Sequence, residues 1–289
     1  MTFRELHGAE KAAFRAVLFD IDGTLVSGSR AMPGAAALLD ALRDEGVPFL
    51  LLTNDSHHSP AEKTGYLARA GVPAFPDEIV SCSHALPDFV AERGLRGSRV
   101  FIMGEFGNPD YAEAAGLTPC RDLAAIDDCA FVIAGEGPFD WHDVFTGVIN
   151  YFRRHPDRAL VVPNPDTYWP NAGTGQYGIG AGAQARFICT VLAEMHITVE
   201  PVYFGKPYPR IYRHALTYLQ ERFPLPGLRA GEVAMVGDSL RSDIAGARAL
   251  GMKSVLVMTG ITTPEILRAA PAEMRPDWVC DAVGRGVSD

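Results

Sequence analysis

The run VLFDIDGTLV, residues 17–26, stays apolar until it meets Asp20 and Asp22, two acids separated by one residue. Positions i and i+2 of a strand face the same way, so the two carboxylates are expected to converge at a strand end. In open α/β sheets the carboxyl ends of strands are where ligands bind. Gly23 lets backbone approach a ligand closely, and Thr24 adds a hydroxyl. On this stretch alone, a strand followed by a solvated turn is the competing, less favoured reading.

Three later stretches carry matching chemistry. LLLTND puts Thr53 at the end of a second strand, where a hydroxyl and free backbone N–H groups can hold a phosphate oxygen. YFGKPYP puts Lys206 between a strand and a helix start, a place for a fixed cation facing an anion, although a solvated lysine is the commoner case. AMVGDSLRSDIAGARALG places Asp238 at a strand end and Asp243 at the head of a helix closed by Gly251; capping that helix is the alternative use of Asp243.

The elements that must position these residues follow from periodicity. Short β-branched or apolar runs (AVLF, PFLLL, RVFIM, AFVIA, ALVV, VYF, EVAMV, SVLVM) alternate with helical signatures, the pattern of a parallel sheet covered on both faces. PGAAALLDALRDEG carries Ala35, Leu38, Leu39 and Leu42 on one stripe, with Pro33 placed to open the helix and Gly46 to close it. In TNDSHHSPAEKTGYLARAG, Ser59 and Glu62 form a capping box, Pro60 takes the first helical position and Gly71 ends the helix.

Taken in order, DxDGT, a threonine, a lysine and GDxxxxD resemble the haloacid dehalogenase superfamily over nearly the whole chain. The resemblance implies a Rossmann-like, doubly wound parallel core with Asp20 as nucleophile and Asp22 as general acid and base. Thr53, Asn54 and Lys206 would hold phosphate, and Asp20, Asp22, Asp238 and Asp243 would surround Mg²⁺. Electrostatics reaches a compatible answer, because four carboxylates around one lysine raise one another's pKa until a hard divalent cation removes the conflict. The implied reaction is hydrolysis of a small phosphorylated metabolite through an aspartyl-phosphate. A phosphotransferase or mutase of the same superfamily, and a non-catalytic phosphometabolite-binding protein, are the alternatives. Asp22 argues against the binding protein and against the dehalogenases, which lack that second aspartate.

Spacing locates a second domain. Thirty-one residues separate Asp22 from Thr53, too few for an insertion, whereas 153 separate Thr53 from Lys206. A bare core needs roughly 50 there, leaving on the order of 100 for a separate unit. The expectation is a discontinuous core at 1–81 and 197–289 with an inserted α/β cap at 82–196. DGTLVSGSRAMPGA, LLTNDSHHSP, VVPNPDTYWPN and VYFGKP are similar to segments of the NagD-like and phosphoglycolate or pyridoxal phosphatase-like enzymes, which carry such a cap and often pair through it as homodimers. Two departures, Asp55 after Asn54 and GQYGIGAGA in the late cap, touch substrate choice. VVPNPDTYWPN, held by its prolines, is the expected source of selectivity through Asn164, Asp166 and Tyr168, with Trp169 beside them; the competing readings are that its aromatics fill the cap's core or that 175–183 sets specificity.

Other features bound the answer. The 26 basic and 35 acidic side chains leave a net charge of −9, which speaks against nucleic acid and anionic membrane as partners. MTFRELHGAEKAAF lacks the apolar core of a secretory signal, so a cytoplasmic location is expected. Five cysteines form no CxxC pair and read as buried or idle thiols. His57 and His58 read as an exposed polar turn and not as metal ligands; Trp141, His142 and His196 read as packing or surface residues.

Overall fold

A computed structural model describes residues 1–10, 13–171 and 175–285. They form two compact units: Met1–Thr53, Lys63–Val80 and Lys206 onward in the first, Asn54–Glu62 and Ser81–Gly205 in the second.

The strands run in chain order as β1 (Ala16–Phe19), the hairpin β2 (Val26–Ser27) and β3 (Arg30–Ala31), β4 (Phe49–Thr53), β5 (Ile79–Ser81), β6 (Arg99–Met103), β7 (Thr118–Cys120), β8 (Val132–Ala134), β9 (Leu160–Val162), β10 (Tyr168–Asn171), β11 (Gln176–Ile179), β12 (Val202–Tyr203), β13 (Val233–Gly237), β14 (Lys253–Val257) and β15 (Trp278–Cys280).

The first unit is built on a six-stranded sheet in the order β15-β14-β13-β1-β4-β5. The pairings from β15 through β4 are parallel. β1, β4 and β13 are buried at every position, as strands covered on both faces must be, which is why their sequences are continuously apolar. The chain adds strands to one side of β1 and then to the other. That reversal makes the carboxyl end of β1 a topological switch point. The helix Ala35–Asp44 buries Ala35, Leu38, Leu39 and Leu42, the expected stripe. It starts two residues later than Pro33 suggests, because Gly34 takes a left-handed conformation as its N-cap. The capping box is as expected, with Ser59 N–H donating to Glu62 Oε2 (2.8 Å) and Glu62 N–H to Ser59 Oγ (3.3 Å).

The second unit has a five-stranded parallel sheet, β12-β9-β8-β6-β7. Alternation along β6 divides its core. Phe101 and Met103 join Val132, Phe145, Val148 and Ile188 on one face, while Val100 and Ile102 join Phe89, Phe131 and Ile133 on the other. The unit is longer than 82–196. β12 pairs with β9, which draws the VYF strand out of the first sheet, and 54–62 is tied in by Ser59 Oγ–H donating to Asn108 O (2.5 Å) and Tyr111 O–H to His58 O (2.9 Å). β10 and β11 form an antiparallel hairpin where the sequence reads as loop. Pro170 in one strand and Gly178 in the other weaken the strand signal there.

Candidate active site

Asp20 directly follows β1, its N–H still donating to Val236 O at 2.8 Å. Its carboxylate accepts from Lys206 Nζ at 2.5 Å and from the Thr24 hydroxyl at 3.5 Å. Lys206 also donates to Leu52 O in β4 (3.0 Å) and to Asp243 Oδ1 (2.8 Å). Asp243 Oδ2 accepts from Ser239 N–H at 3.0 Å, and Asp238 Oδ2 from Ile261 N–H at 2.7 Å. Asp20, Asp238 and Asp243 are all buried, and each offers a carboxylate oxygen within 4.8 Å of the others. Gly23 (φ +89°) belongs to this packing, since a Cβ there would lie 2.4 Å from Asp238 Oδ2. The glycine makes room for the Asp238 carboxylate.

Burial and mutual repulsion set the charge states. Burial, joined by Asp243 and Asp238, pushes Asp20 well above the usual carboxylate range against the pull of Lys206. Burial followed by the Asp243 charge raises Asp238 to about 7. For Lys206, burial favours the neutral form, but Asp20 and Asp243 outweigh it and hold the ammonium protonated. One buried cation thus faces three buried acids. The site is short of positive charge, and a hard divalent cation fits an all-carboxylate donor set of this kind.

One expectation changes and one alternative falls away. Asp22 does not join the cluster; its side chain is 62% exposed and accepts from Lys63 Nζ at 3.0 Å. β1 ends at Phe19 and the chain turns at Ile21, whose carbonyl takes the N–H groups of Leu25 and Val26, so strand alternation no longer applies at Asp22. Asp243 does not serve as the N-cap of its helix. Ser239 does, accepting Ser242 N–H at the start of the π-helical turn Leu240–Ile244, and Asp243 is free to hold Lys206. Thr53 is buried at the carboxyl end of β4.

Asn54, Asn164 and Asp166 meet within the second unit. Asn54 Nδ2 donates to Asp166 Oδ2 (3.1 Å), Asp166 N–H to Asn164 Oδ1 (2.9 Å), and Asn164 Nδ2 to Glu136 Oε1 (3.0 Å). Ser56 Oγ–H completes the chain on Glu136 Oε2 at 2.9 Å. Gly205 lets this pack, since a Cβ there would be 2.4 Å from Asn54 Oδ1. Sequence reading missed Glu136 and Ser56. Glu136 stands two residues past the apolar run AFVIA, a position that marks a strand end but does not disclose its partners. Burial, with Asp55 adding repulsion, raises the Glu136 carboxyl to about 7.

Tyr168 (57% exposed) and Trp169 (44%) stand on the hairpin outside both cores, Tyr168 edge-on to Tyr177 at 5.5 Å, so they do not fill the unit's interior. His57 and His58 stack at 4.3 Å and each binds an acid, His57 to Glu105 at 2.6 Å and His58 to Asp55 at 2.9 Å. The five cysteines are all free thiols. No helix among the described residues is long and apolar enough to cross a membrane.

This geometry coincides with a known family. The description haloacid dehalogenase-like hydrolase matches residues 17–118 and HAD-hydrolase-like matches 203–285. The chain belongs to the haloacid dehalogenase-like hydrolases, in their NagD-like phosphatase branch. It is 30% identical to the ribonucleotide monophosphatase NagD of Escherichia coli K12 over 92% of this chain and 96% of that one, and 30% identical to the acid sugar phosphatase of Staphylococcus aureus MRSA252 over 87% and 89%. The solved NagD structure from E. coli K-12 superposes with a TM-score of 0.77 at 28% identity, covering 94% of this chain and 97% of that one. Glycerol phosphate phosphatase from Mycobacterium tuberculosis, solved with magnesium, gives 0.78 at 25% identity, covering 93% and 76%. The chain is a phosphatase of this family.

Proposed function

We propose that the chain hydrolyses a small phosphomonoester with Mg²⁺, through an aspartyl-phosphate formed on Asp20. An Asp20 carboxylate oxygen bonds to phosphorus as the ester oxygen departs, and Asp22 gives that oxygen its proton. Water then bonds to phosphorus, its proton passes to Asp22, and the bond to Asp20 breaks to release phosphate. Thr53, Asn54 and Lys206 hold the non-bridging oxygens.

The observation that carries this reading is the buried group of Asp20, Asp238 and Asp243 against the single ammonium of Lys206. Asp20, Asp238 and Asp243 would hold magnesium, whose charge keeps the nucleophile ionised and offsets that of the phosphate. Asp22, exposed and paired with Lys63, is assigned proton transfer and not metal binding. The magnesium bound to the glycerol phosphate phosphatase from M. tuberculosis supports the choice of ion.

Leaving-group recognition is assigned to Asn164, Asp166 and Tyr168, and the second unit to the role of the inserted cap. Hydrolysis of p-nitrophenyl phosphate with Mg²⁺, abolished by chelator and restored by Mg²⁺, tests the assignment. Full activity without metal contradicts it.

A further inference from the structure

Glu136 is anchored at both ends. Its backbone is paired antiparallel with a single residue, Glu105 N–H donating to Glu136 O at 2.7 Å and Glu136 N–H to Glu105 O at 3.2 Å. Gln184 Nε2–H holds the neighbouring Gly135 O at 3.3 Å. From that post the side chain, 8% exposed, uses one oxygen for Ser56 and the other for Asn164. Ser56 lies two residues beyond Asn54, and Asn164 turns its own oxygen to the backbone of Asp166, whose carboxylate takes Asn54. The carboxyl group of Glu136 therefore joins two segments more than 100 residues apart, 54–56 and 164–166.

We infer that Glu136 is a positioning residue for substrate selection: by binding Ser56 and Asn164 together it fixes Asp166 in the orientation that reads the leaving group. A buried carboxyl pays a desolvation cost that an apolar side chain in the same place avoids, so a packing role alone gives no reason for an acid here. Two partners on its two oxygens give that reason. The inference rests on the proposed use of Asn164 and Asp166 for the leaving group, and it extends that use to a residue that touches neither substrate nor metal.

The shape of the requirement is specific. Glutamine keeps both bonds, its oxygen accepting from Asn164 and its amide donating to a rotated Ser56 hydroxyl. Aspartate keeps the charge but is one methylene too short to span both partners, and leucine keeps the volume and loses both.

The test uses the full chain and compares kcat/KM for the best substrate from a panel of alkyl phosphomonoesters with kcat/KM for p-nitrophenyl phosphate. The ratio of the two is the readout, because loss of folded enzyme lowers both and leaves the ratio alone. Glu136→Asp and Glu136→Leu are expected to lower the ratio at least 5-fold, mainly through KM of the alkyl ester, and Glu136→Gln to restore it to within 2-fold of the parent. If Glu136→Leu does not fold by circular dichroism, Glu136→Asp and Ser56→Ala carry the same comparison. A ratio that changes less than 5-fold in the variants that fold, or a Glu136→Gln protein as impaired as Glu136→Asp, overturns the inference. Absence of phosphatase activity in the parent protein would instead overturn the proposed function.

Discussion

Asn54 Nδ2 donates to Asp166 Oδ2 at 3.1 Å, joining the residue after β4 to the segment after β9 across 112 positions of sequence. One residue is assigned to phosphate and the other to the leaving group, so the two tasks share a hydrogen bond. Substitutions at the two ends of the selectivity segment should then behave differently.

Tyr168→Ala removes an exposed ring from the hairpin and leaves the Asn54 bond alone. It should lower kcat/KM about 10-fold for the best substrate, roughly 1.4 kcal/mol, and little for p-nitrophenyl phosphate. Asp166→Ala also removes the bond to Asn54, and should lower kcat/KM for both. Steady-state kinetics on the two substrates decides. Proportional losses in Tyr168→Ala would move selectivity to 175–183.

Asp22 should matter most when the leaving group is poor, because its assigned task is to protonate that group. Asp22→Asn is expected to cost alkyl phosphates at least 10-fold more than p-nitrophenyl phosphate, a difference of about 1.4 kcal/mol in the barrier. Equal losses on both substrates would return Asp22 to the metal or to a purely structural role.

Lys206 is the cation in a buried cluster of three acids, so Lys206→Met leaves Asp20 and Asp243 without the ammonium that both bind. Breaking a buried pair in this way costs about 3–5 kcal/mol. Thermal melts in chelator should show a clear drop against the parent, and Mg²⁺ should recover part of it. A variant as stable as the parent without metal would mean that the cluster is already neutral.

Stability should also carry the signature of Glu136. Its folded-state carboxyl lies at about 7 against an ordinary 4.5, so between those values the native state binds the extra proton. Unfolding then releases a proton, and stability falls as pH rises through this window, by an amount on the order of 3 kcal/mol at most. Glu136→Gln cannot ionise. Its gain in denaturation midpoint over the parent should be small near pH 5 and larger at pH 8. A gain that does not grow with pH would show that Glu136 is ionised throughout.

The parts of the site that were legible in the sequence are those where local pattern and chemistry coincide. Asp20 and Asp238 each follow, and Thr53 ends, an apolar strand whose end can be read from composition, and Lys206 sits just past a strand in a turn. Asp22 was misread because the rule of alternation holds only inside a strand, and β1 stops at Phe19. Glu136 and Ser56 were missed for a different reason. Their relation is a side-chain bond across 80 residues of sequence, and no periodicity records a contact of that range. The second unit's limits shifted for a related reason, since whether VYF joins one sheet or the other depends on its pairing with β9 and not on its own residues.

Metal dependence should separate the acids. Asp238→Asn and Asp243→Asn should both raise the Mg²⁺ concentration needed for half-maximal rate, by 10-fold or more, while Asp22→Asn should not. Magnesium titrations of activity check this. An unchanged requirement in Asp238→Asn would remove that residue from the metal's ligands.

The central claim is that phosphorus bonds to Asp20 during turnover. Acid quenching of the enzyme within milliseconds of mixing with Mg²⁺ and a ³²P-labelled phosphomonoester should trap label on the protein that hydroxylamine removes. Peptide mapping should place it at Asp20, and the Asp20→Asn protein should neither label nor turn over. Label at another residue, or an Asp20→Asn protein that still hydrolyses the ester, would contradict the account.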